Sequence, residues 1–272
     1  MSFAVEADFK RMGARAAVVM VSNADVRARF GGEYPPVRID IVRDWHGPRF
    51  RIERRWSVTV NVAHVDAADR HLLLVADHFR YGPERYSRFL CGHDERAWFV
   101  AAIPESAGAT TVQAAKDALK PAEVWQAMRE YEVPMDQRDE RRTHGFVRQG
   151  EWFFIPRPLM EVDSPDVMRD EPIRRGDGQP HWCEMVCRTG GETVMVCAAY
   201  PNGLTPAEYQ RLDPLERRRH RDWREMVRDA EVFARGYVRH ADHATVYLHE
   251  WHQVVMNTET QSAAMRHVAF LD

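Results

Sequence analysis

Histidines with an acidic neighbour gather in the stretch from Gly236 to Asn257, which reads GYVRHADHATVYLHEWHQVVMN. Its histidines and its aspartate are His240, Asp242, His243, His249 and His252. Neutral imidazole is a common ligand for zinc, manganese or iron, and such sites often combine two or three histidines with a carboxylate. These residue types therefore indicate a divalent metal site, which would support hydrolysis by lowering the pKa of a bound water.

A tight hairpin would bring these side chains together. With Ala241 and Asp242 at a two-residue tip, His240 and His243 face each other across the ladder, with Cβ atoms about 5 Å apart. We predict His240, His243 and His252 as metal ligands, and Asp242 and His243 as acid/base groups. The stretch contains no HExxH spacing, and Ala-Asp is not a favoured hairpin tip. The alternatives are an exposed hairpin whose histidines are solvated and a set of histidines that lines a partner interface.

A second candidate is the stretch CGHDERAW, residues 91–98. His93 and Glu95 are predicted acid/base groups, and Cys91 would be a nucleophile if His93 lowered its pKa. Alternation along a strand would place all three on one face. The alternative is a charged turn beside a buried cysteine. If this stretch meets the C-terminal histidines in space, the two together make a credible set of ligands.

A third candidate is the basic stretch RRRHRDWRE, residues 217–225. Arg217, Arg221 and Arg224 recur at helical spacing and are predicted to form a stripe that binds an anionic substrate or nucleic acid. Trp223 would stack on a base or pack into the core, and a solvated helix face is the alternative. The sequence contains no Walker loop, GxGxxG or GxSxG pattern, so it indicates no nucleotide cofactor.

Composition limits the class of protein. Among 272 residues, 44% are hydrophobic and 29% are charged, which is typical of a globular chain. The net charge of −3 means that the whole-molecule field does not attract nucleic acid. No apolar run approaches the roughly 18 residues of a membrane span, and no signal peptide is recognised, so we expect a cytoplasmic protein without membrane contact. The four cysteines form no CxxC pair, and we expect reduced, buried thiols.

Periodicity predicts the elements that must position these residues. Alternation in VRIDIV (37–42) and WSVTVNV (56–62) indicates half-buried strands, and short connections favour antiparallel pairing. Thr111 is a predicted helix N-cap, and Thr205 with Glu208 forms a predicted capping box. In the segment 181–200, Gly190-Gly191 indicates a hairpin turn.

These patterns predict the α+β class: a strand-rich chain with mainly antiparallel sheets, a few helices and no Rossmann-type alternation. A charge run near residue 140 suggests a soft boundary. Residues 1–140 would form a strand-rich half ending in a helix, and residues 141–272 an α+β half with the histidine-rich hairpin. A single compact unit is the alternative.

Several stretches are similar to an uncharacterised family of bacterial hypothetical proteins. They are FLCGHDERAWFVAAIP, RQGEWFFIPRP, PNGLTPAEY, ARGYVRHADHATVYLHEWH and RHVAFLD. The resemblance runs over most of the length and implies a bacterial, cytoplasmic, single-unit protein. No activity, cofactor or catalytic residue comes with it, so it transfers no site.

Two functions remain open from the sequence. The first is a metal-assisted hydrolase acting on phosphodiesters or other anionic substrates, with a divalent ion of zinc, manganese or iron. The second is a non-catalytic binding or accessory protein, in which the same arginines and the aromatics Trp45, Trp223 and Trp251 contact a protein or nucleic-acid partner.

Overall fold

The structure is a computed structural model that describes residues 2–22, 36–79, 85–175 and 178–262. Within those ranges the chain forms five α-helices and sixteen strands, and the strands make four sheets. The α+β class with mainly antiparallel sheets is confirmed, and the described ranges contain no Rossmann-type alternation. The RHVAFLD stretch lies outside the described residues.

The N-terminal part contains one helix and two sheets. Its elements are α1 (Ser2–Arg11), β1 (Ala16–Met20), β2 (Val37–Asp44), β3 (Gly47–Arg54), β4 (Thr59–Asp66), β5 (His71–Asp77), β6 (Tyr86–Asp94) and β7 (Ala97–Ile103). The first sheet has the order β1-β3-β2, with β1 parallel to β3. Strands β4 to β7 form an antiparallel meander sheet. Its strand alternation is visible where Val60 is buried and Asn61 is exposed.

Two helices follow the meander sheet, namely α2 (Val112–Ala118) and α3 (Ala122–Glu130). The Thr111 side chain caps α2 by accepting a hydrogen bond from the Ala114 N–H at 3.1 Å, as predicted. Helix α2 packs on the meander sheet, whereas α3 shares a core with Phe153 and Ile155 of the second half. The boundary near residue 140 stays a prediction.

The second half contains a six-stranded sheet and a small sheet. Its strands are β8 (Val147–Gln149), β9 (Trp152–Pro156), β10 (Met168–Ile173), β11 (His181–Thr189), β12 (Glu192–Cys197), β13 (Tyr200–Leu204), β14 (Arg224–Arg228), β15 (Glu231–Arg239) and β16 (Val246–Met256). The six-stranded sheet has the order β10-β11-β15-β16-β9-β8 and is antiparallel throughout. The small sheet has the order β13-β12-β14.

Two predicted hairpins are wrong. Gly190 and Gly191 do make a turn, but β11 pairs with β10 and β15 while β12 pairs with β13 and β14. The predicted two-residue tip at Ala241-Asp242 is a six-residue loop instead. The last pair of the β15–β16 ladder is Val238 with Val246, β15 ends at Arg239 and β16 begins at Val246. We call residues 240–245 the histidine loop.

Short helices α4 (Pro206–Arg211) and α5 (Pro214–Arg219) connect β13 to β14. The predicted capping box of Thr205 and Glu208 is present. The predicted helical stripe of arginines is wrong, because α5 ends at Arg219, His220 is extended and Arg224 already belongs to β14. None of the helices in the described ranges combines the length and the apolar character that a membrane crossing requires.

The C-terminal end of the described chain joins the two halves. The Glu259 carboxylate accepts a hydrogen bond from the Ala102 N–H of β7 at 3.2 Å. The Thr258 hydroxyl donates to the Ala118 carbonyl at the end of α2 at 2.6 Å. These contacts hold the meander sheet against the six-stranded sheet, and a cavity of about 450 Å³ lies between them.

Candidate metal centre

Three histidines meet beside this cavity, where the buried His181 joins His240 and His243, and the latter two line the cavity. A ligand nitrogen of each lies within 4.8 Å of one from each of the others. The ring of His181 stacks on His240 with centroids 4.2 Å apart, and His243 lies 4.7 Å from His240 and 5.7 Å from His181. We call this group the histidine cluster.

Strand pairing produces the cluster. His181 is the first residue of β11, and its neighbour Trp182 pairs with Arg239, the last residue of β15. His181 and His240 therefore meet at the same end of two adjacent strands. His243 reaches them because the histidine loop folds toward the turn between β8 and β9, where Gly150 lies against its ring.

Gln149 holds the most buried member of the cluster in place. Both Gln149 and His181 are 1% exposed. The Gln149 Nε2 donates hydrogen bonds to the carbonyls of Val238 at 3.2 Å and Ala244 at 2.7 Å. Its Oε1 must therefore accept, so the Nδ1–H of His181 donates to it at 2.9 Å. This tautomer leaves the lone pair of His181 Nε2 free for a metal ion or a proton.

Glu151 adds a carboxylate to the cluster. Its Oε2 lies 3.6 Å from His181 Nε2. Burial opposes the ionisation of Glu151, but contact with His181 that carries a proton on Nε2 outweighs it and lowers the pKa of the carboxyl to about 2. An ionised acceptor therefore faces the imidazoles at neutral pH.

The other two histidines are held in the neutral form. Burial, together with the charges of His240 and His181, lowers the pKa of His243 to about 4. Burial and the charge of His181 also lower the pKa of His240. The Nδ1 of His243 is buried and has no hydrogen-bond partner among the described residues. A buried polar atom without a partner is costly, and a bound cation would remove that cost.

His240 has a competing contact. Its Nδ1 accepts a hydrogen bond from the Asp242 N–H at 3.1 Å, so the neutral ring carries its proton on Nε2. A metal ion bound to Nδ1 must displace the hydrogen bond from Asp242, and one bound to Nε2 requires the ring proton to leave that nitrogen. His240 is therefore the ligand most sensitive to the conformation of the histidine loop.

The opposite wall of the cavity comes from the meander sheet. Asp94, at the end of β6, forms ion pairs with Arg141 and with Arg148, the latter at 3.3 Å. Glu95 forms an ion pair with Arg141 and accepts a hydrogen bond from the Ala244 N–H. The turn between β6 and β7 therefore anchors the histidine loop.

The second predicted stretch thus reaches the same cavity, with different roles for its residues. His93 lines the cavity, and its ring meets Trp98 at 4.9 Å. Glu95 is occupied by Arg141 and the backbone of the histidine loop, so it positions that loop. Cys91 lies in the core, where burial raises the pKa of its thiol and opposes a nucleophilic role.

Other predicted site residues lie elsewhere. His252 is buried on β16 opposite Ala234, and its Nδ1 donates to the carbonyl of Glu250 at 2.8 Å, so it joins neither the cluster nor the cavity wall. Asp242 lines the cavity and is exposed. The arginines predicted to bind substrate do not line this cavity; they are Arg217, Arg221 and Arg224.

The three aromatics predicted as a contact surface differ in exposure. Trp45 is 89% exposed, and Trp251 is buried. Trp223 is half-buried between Tyr200 and Tyr209, where it stacks on the ring of Tyr200 at 5.5 Å. They therefore form no common surface.

Most cations of the cavity wall are paired with carboxylates. Lys116 contacts Asp69, and Lys120 forms an ion pair with Asp139 at 2.7 Å. Arg175 forms an ion pair with the buried Glu259. The cavity therefore presents charges of both signs, unlike the predicted basic stripe. An anionic ligand would have to replace these carboxylates in order to pair with the cations.

The sequence patterns did not predict that His181, Gln149 and Glu151 belong to one site. His181 stands 59 positions before His240, and only the pairing of β11 with β15 brings them together. A signal did exist, because QGE at 149–151 places two polar side chains around a turn glycine before the strand EWFFIP.

No protein-family model matches the chain, and no curated protein or solved structure is detectably similar to it. The bacterial family suggested by the sequence stays a prediction. Function must therefore be inferred from the chemistry of the site.

Proposed function

We propose that the chain is a metal-assisted hydrolase whose divalent ion is held by His181, His240 and His243. The observation that carries this proposal is the convergence of their ligand nitrogens within 4.8 Å beside a cavity that His240 and His243 line. The partnerless Nδ1 of His243 supports it. So does the bond from His181 to Gln149, since ligating histidines usually donate their second ring N–H in this way.

The residues fit the chemistry of a borderline cation. Three imidazoles and a carboxylate suit zinc, and also manganese or iron. Tetrahedral zinc with bonds of about 2.0–2.1 Å would place its nitrogen ligands about 3.3 Å apart. Binding therefore requires the stacked rings to rotate until their lone pairs converge on the ion. Once bound, such an ion lowers the pKa of a water in its open position.

The protein side chains have separate parts in this proposal. Gln149 orients His181, and Glu151 is the group that would accept a proton from the water in the open position of the ion. Asp242, at the rim, is the second candidate for proton transfer. Arg148 is 28% exposed and lies 3.3 Å from its partner Asp94, so it is a cation that could pair with a phosphodiester or another anionic substrate.

Metal content tests the ligand set. Protein without a histidine tag should be loaded with Zn²⁺, dialysed and analysed for metal, alongside His181→Ala and His243→Ala. Each variant should lose about one equivalent of zinc relative to the parent protein. His249→Ala is the matched control, because His249 is exposed on β16 outside the cluster. A parent protein without zinc, or variants that keep all of it, would contradict the ligand set.

Turnover tests the reaction. Bis(p-nitrophenyl) phosphate and a p-nitrophenyl carboxylic ester should be offered to zinc-loaded and manganese-loaded protein. We expect metal-dependent hydrolysis that disappears in His243→Ala and persists in His249→Ala. Metal binding without hydrolysis of either substrate would favour the second candidate below.

The second candidate is a non-catalytic binding or accessory protein with a protein or nucleic-acid partner. It is supported by the pairing of the cavity cations and by the exposed Trp45. Nucleic-acid affinity that falls steeply with salt would support it through the arginines near residue 217, and a flat response would count against that surface. A cytoplasmic location belongs to both candidates and is supported by four buried, free cysteines.

A further inference from the structure

We propose that Cys197, His220 and Asp222 form a second cation site that binds zinc and pins the small sheet together. One ligand atom of each lies within 4.8 Å of one from each of the others. Among the described residues between Gln179 and His240, none lines the cavity, so this group lies outside it. The inference is therefore independent of the proposed hydrolase.

The ends of β12 and β14 bring two of the ligands together. Cys197 is the last residue of β12, and Val196 beside it pairs with Arg224, the first residue of β14. Asp222 stands two positions before that strand. Its Oδ2 accepts a hydrogen bond from the Ala198 N–H at 2.7 Å, which fixes the carboxylate and leaves its second oxygen for a cation.

His220 is oriented by a carboxylate on its other side. It follows the C-terminus of α5, and its Nε2 lies 3.1 Å from the Glu216 Oε1 one turn earlier in the chain. Because Nε2 holds that contact, Nδ1 is the ring nitrogen left for a cation. A carboxylate bound to the far nitrogen of a histidine is the arrangement that supports metal ligands in proteins.

The ligand types select the metal. Thiolate is a soft ligand, and its combination with imidazole and a carboxylate favours zinc over magnesium or calcium. Three protein ligands leave a fourth position for water. The closest aromatic neighbours, Tyr200 and Trp223, lie beside His220 at ring distances of 6.0 and 6.3 Å and shield that side of the group.

The small sheet also needs additional stabilisation. In the fully described segment 192–228, the buried apolar side chains are Val194 and Cys197. Leu215 is 75% exposed, Val227 is 56% exposed and Met226 is 43% exposed. A unit of this size without a core usually requires a disulfide, a metal or a partner, and free Cys197 excludes an intrachain disulfide here. Metal binding would therefore contribute directly to its folding.

Cobalt(II) distinguishes this site from the histidine cluster. A thiolate bound to Co²⁺ gives a sulfur-to-metal charge-transfer absorption, which imidazole and carboxylate ligands do not give. We expect this absorption when Co²⁺ is titrated into the reduced full-length protein. It should vanish in Cys197→Ser and remain in His243→Ala, which removes a ligand of the other site only. Cys187→Ser, a change at another buried thiol, should also retain it.

Two further variants keep the proposal testable if Cys197→Ser folds poorly. Asp222→Asn preserves an acceptor for the Ala198 N–H but loses the charge, and Glu216→Gln alters the support of His220. Each should weaken Co²⁺ binding about tenfold or more. Absence of the charge-transfer absorption in the parent protein, or its persistence in Cys197→Ser, would overturn the proposal. So would unchanged Co²⁺ affinity in both other variants.

Discussion

Gly150 shows how a single backbone position keeps the histidine cluster open. Its φ of +59° lies in the left-handed region, and a Cβ there would stand 2.8 Å from His243 Nε2 and 3.3 Å from His181 Cε1. We predict that Gly150→Ala lowers the free energy of unfolding by about 1–2 kcal/mol from backbone strain and crowding. It should also weaken Zn²⁺ binding at the cluster about tenfold, measured by competition with a chromophoric chelator.

Gly108 provides the matched control. Its φ of +55° is nearly the same, but a Cβ there has no neighbour within 4 Å. Gly108→Ala should therefore reproduce the loss from backbone strain and leave zinc affinity unchanged. Equal zinc affinity in the two variants would show that the contact of Gly150 with His243 does not shape the cluster.

Among the secondary elements, the β6–β7 turn controls the histidine loop. Glu95 accepts a hydrogen bond from the Ala244 N–H and forms an ion pair with Arg141. We predict that Glu95→Ala speeds amide hydrogen exchange in residues 241–245 and weakens Zn²⁺ binding about tenfold, because His240 and His243 lose their fixed loop. The change in global stability should be small, about 1 kcal/mol.

Two comparisons separate this role from a general effect of charge. Glu95→Gln can still accept the Ala244 N–H and should fall between the parent protein and Glu95→Ala. Glu140→Ala removes an exposed carboxylate from the same cavity wall and should leave the exchange rates of the loop unchanged. Rapid exchange in Glu140→Ala would place the effect in the charge of the cavity rather than in the anchor.

Local patterns determined which elements could be predicted. Alternation in β4 and the capping box at Thr205 depend on residues a few positions apart, so the sequence displays them directly. Strand partners depend on residues far apart in the chain. That is why the turn at Gly190 was predicted while the sheet joined by β12 was not.

The site residues also divide into those close together in the sequence, which could be predicted, and those brought together by strand pairing, which could not. The sequence located His240 and His243, which are neighbours in the chain, and the structure brings them together with His181, whose position depends on the β11–β15 pairing. Helical spacing also predicted a basic stripe through Arg217 and Arg224, but α5 ends at Arg219 and Arg224 belongs to a strand, so the two residues do not share a helix face. Propensity over so short a segment gives way to the pairing of β14 with β12.

At the scale of the whole molecule, the cavity depends on the contact between the two halves. The meander sheet contributes His93 and Asp94, while the six-stranded sheet and its loops contribute His240, His243 and Glu151. Ion pairs across this junction, such as Asp94 with Arg148, hold the two walls together. Protonation of groups at the junction should therefore affect the stability of the whole fold.

Acid sensitivity follows from the neutral histidines. The ordinary pKa of 6.5 is lowered to about 4 in His243, and it is also lowered in His240. Between these values the unfolded chain binds more protons than the folded one, so this stabilisation is complete above about pH 6.5 and declines as the pH falls toward 4. In the presence of a chelator, we predict that the lowered pKa of His243 alone reduces the free energy of unfolding by about 1–2 kcal/mol when the pH falls from 7 to 5. Partial exposure of its ring limits the size of this loss.

Urea unfolding at the two pH values measures this loss, and His243→Gln should reduce it. Glu151 interferes little in this window, because its pKa is lowered from 4.5 and its contribution is lost only at more acidic pH. His249→Gln changes an exposed histidine on β16 and should leave the difference between the two pH values as it is in the parent protein. If His243→Gln shows the full parental loss, the acid sensitivity arises outside the cluster, and the neutral, metal-ready state assigned to His243 is wrong.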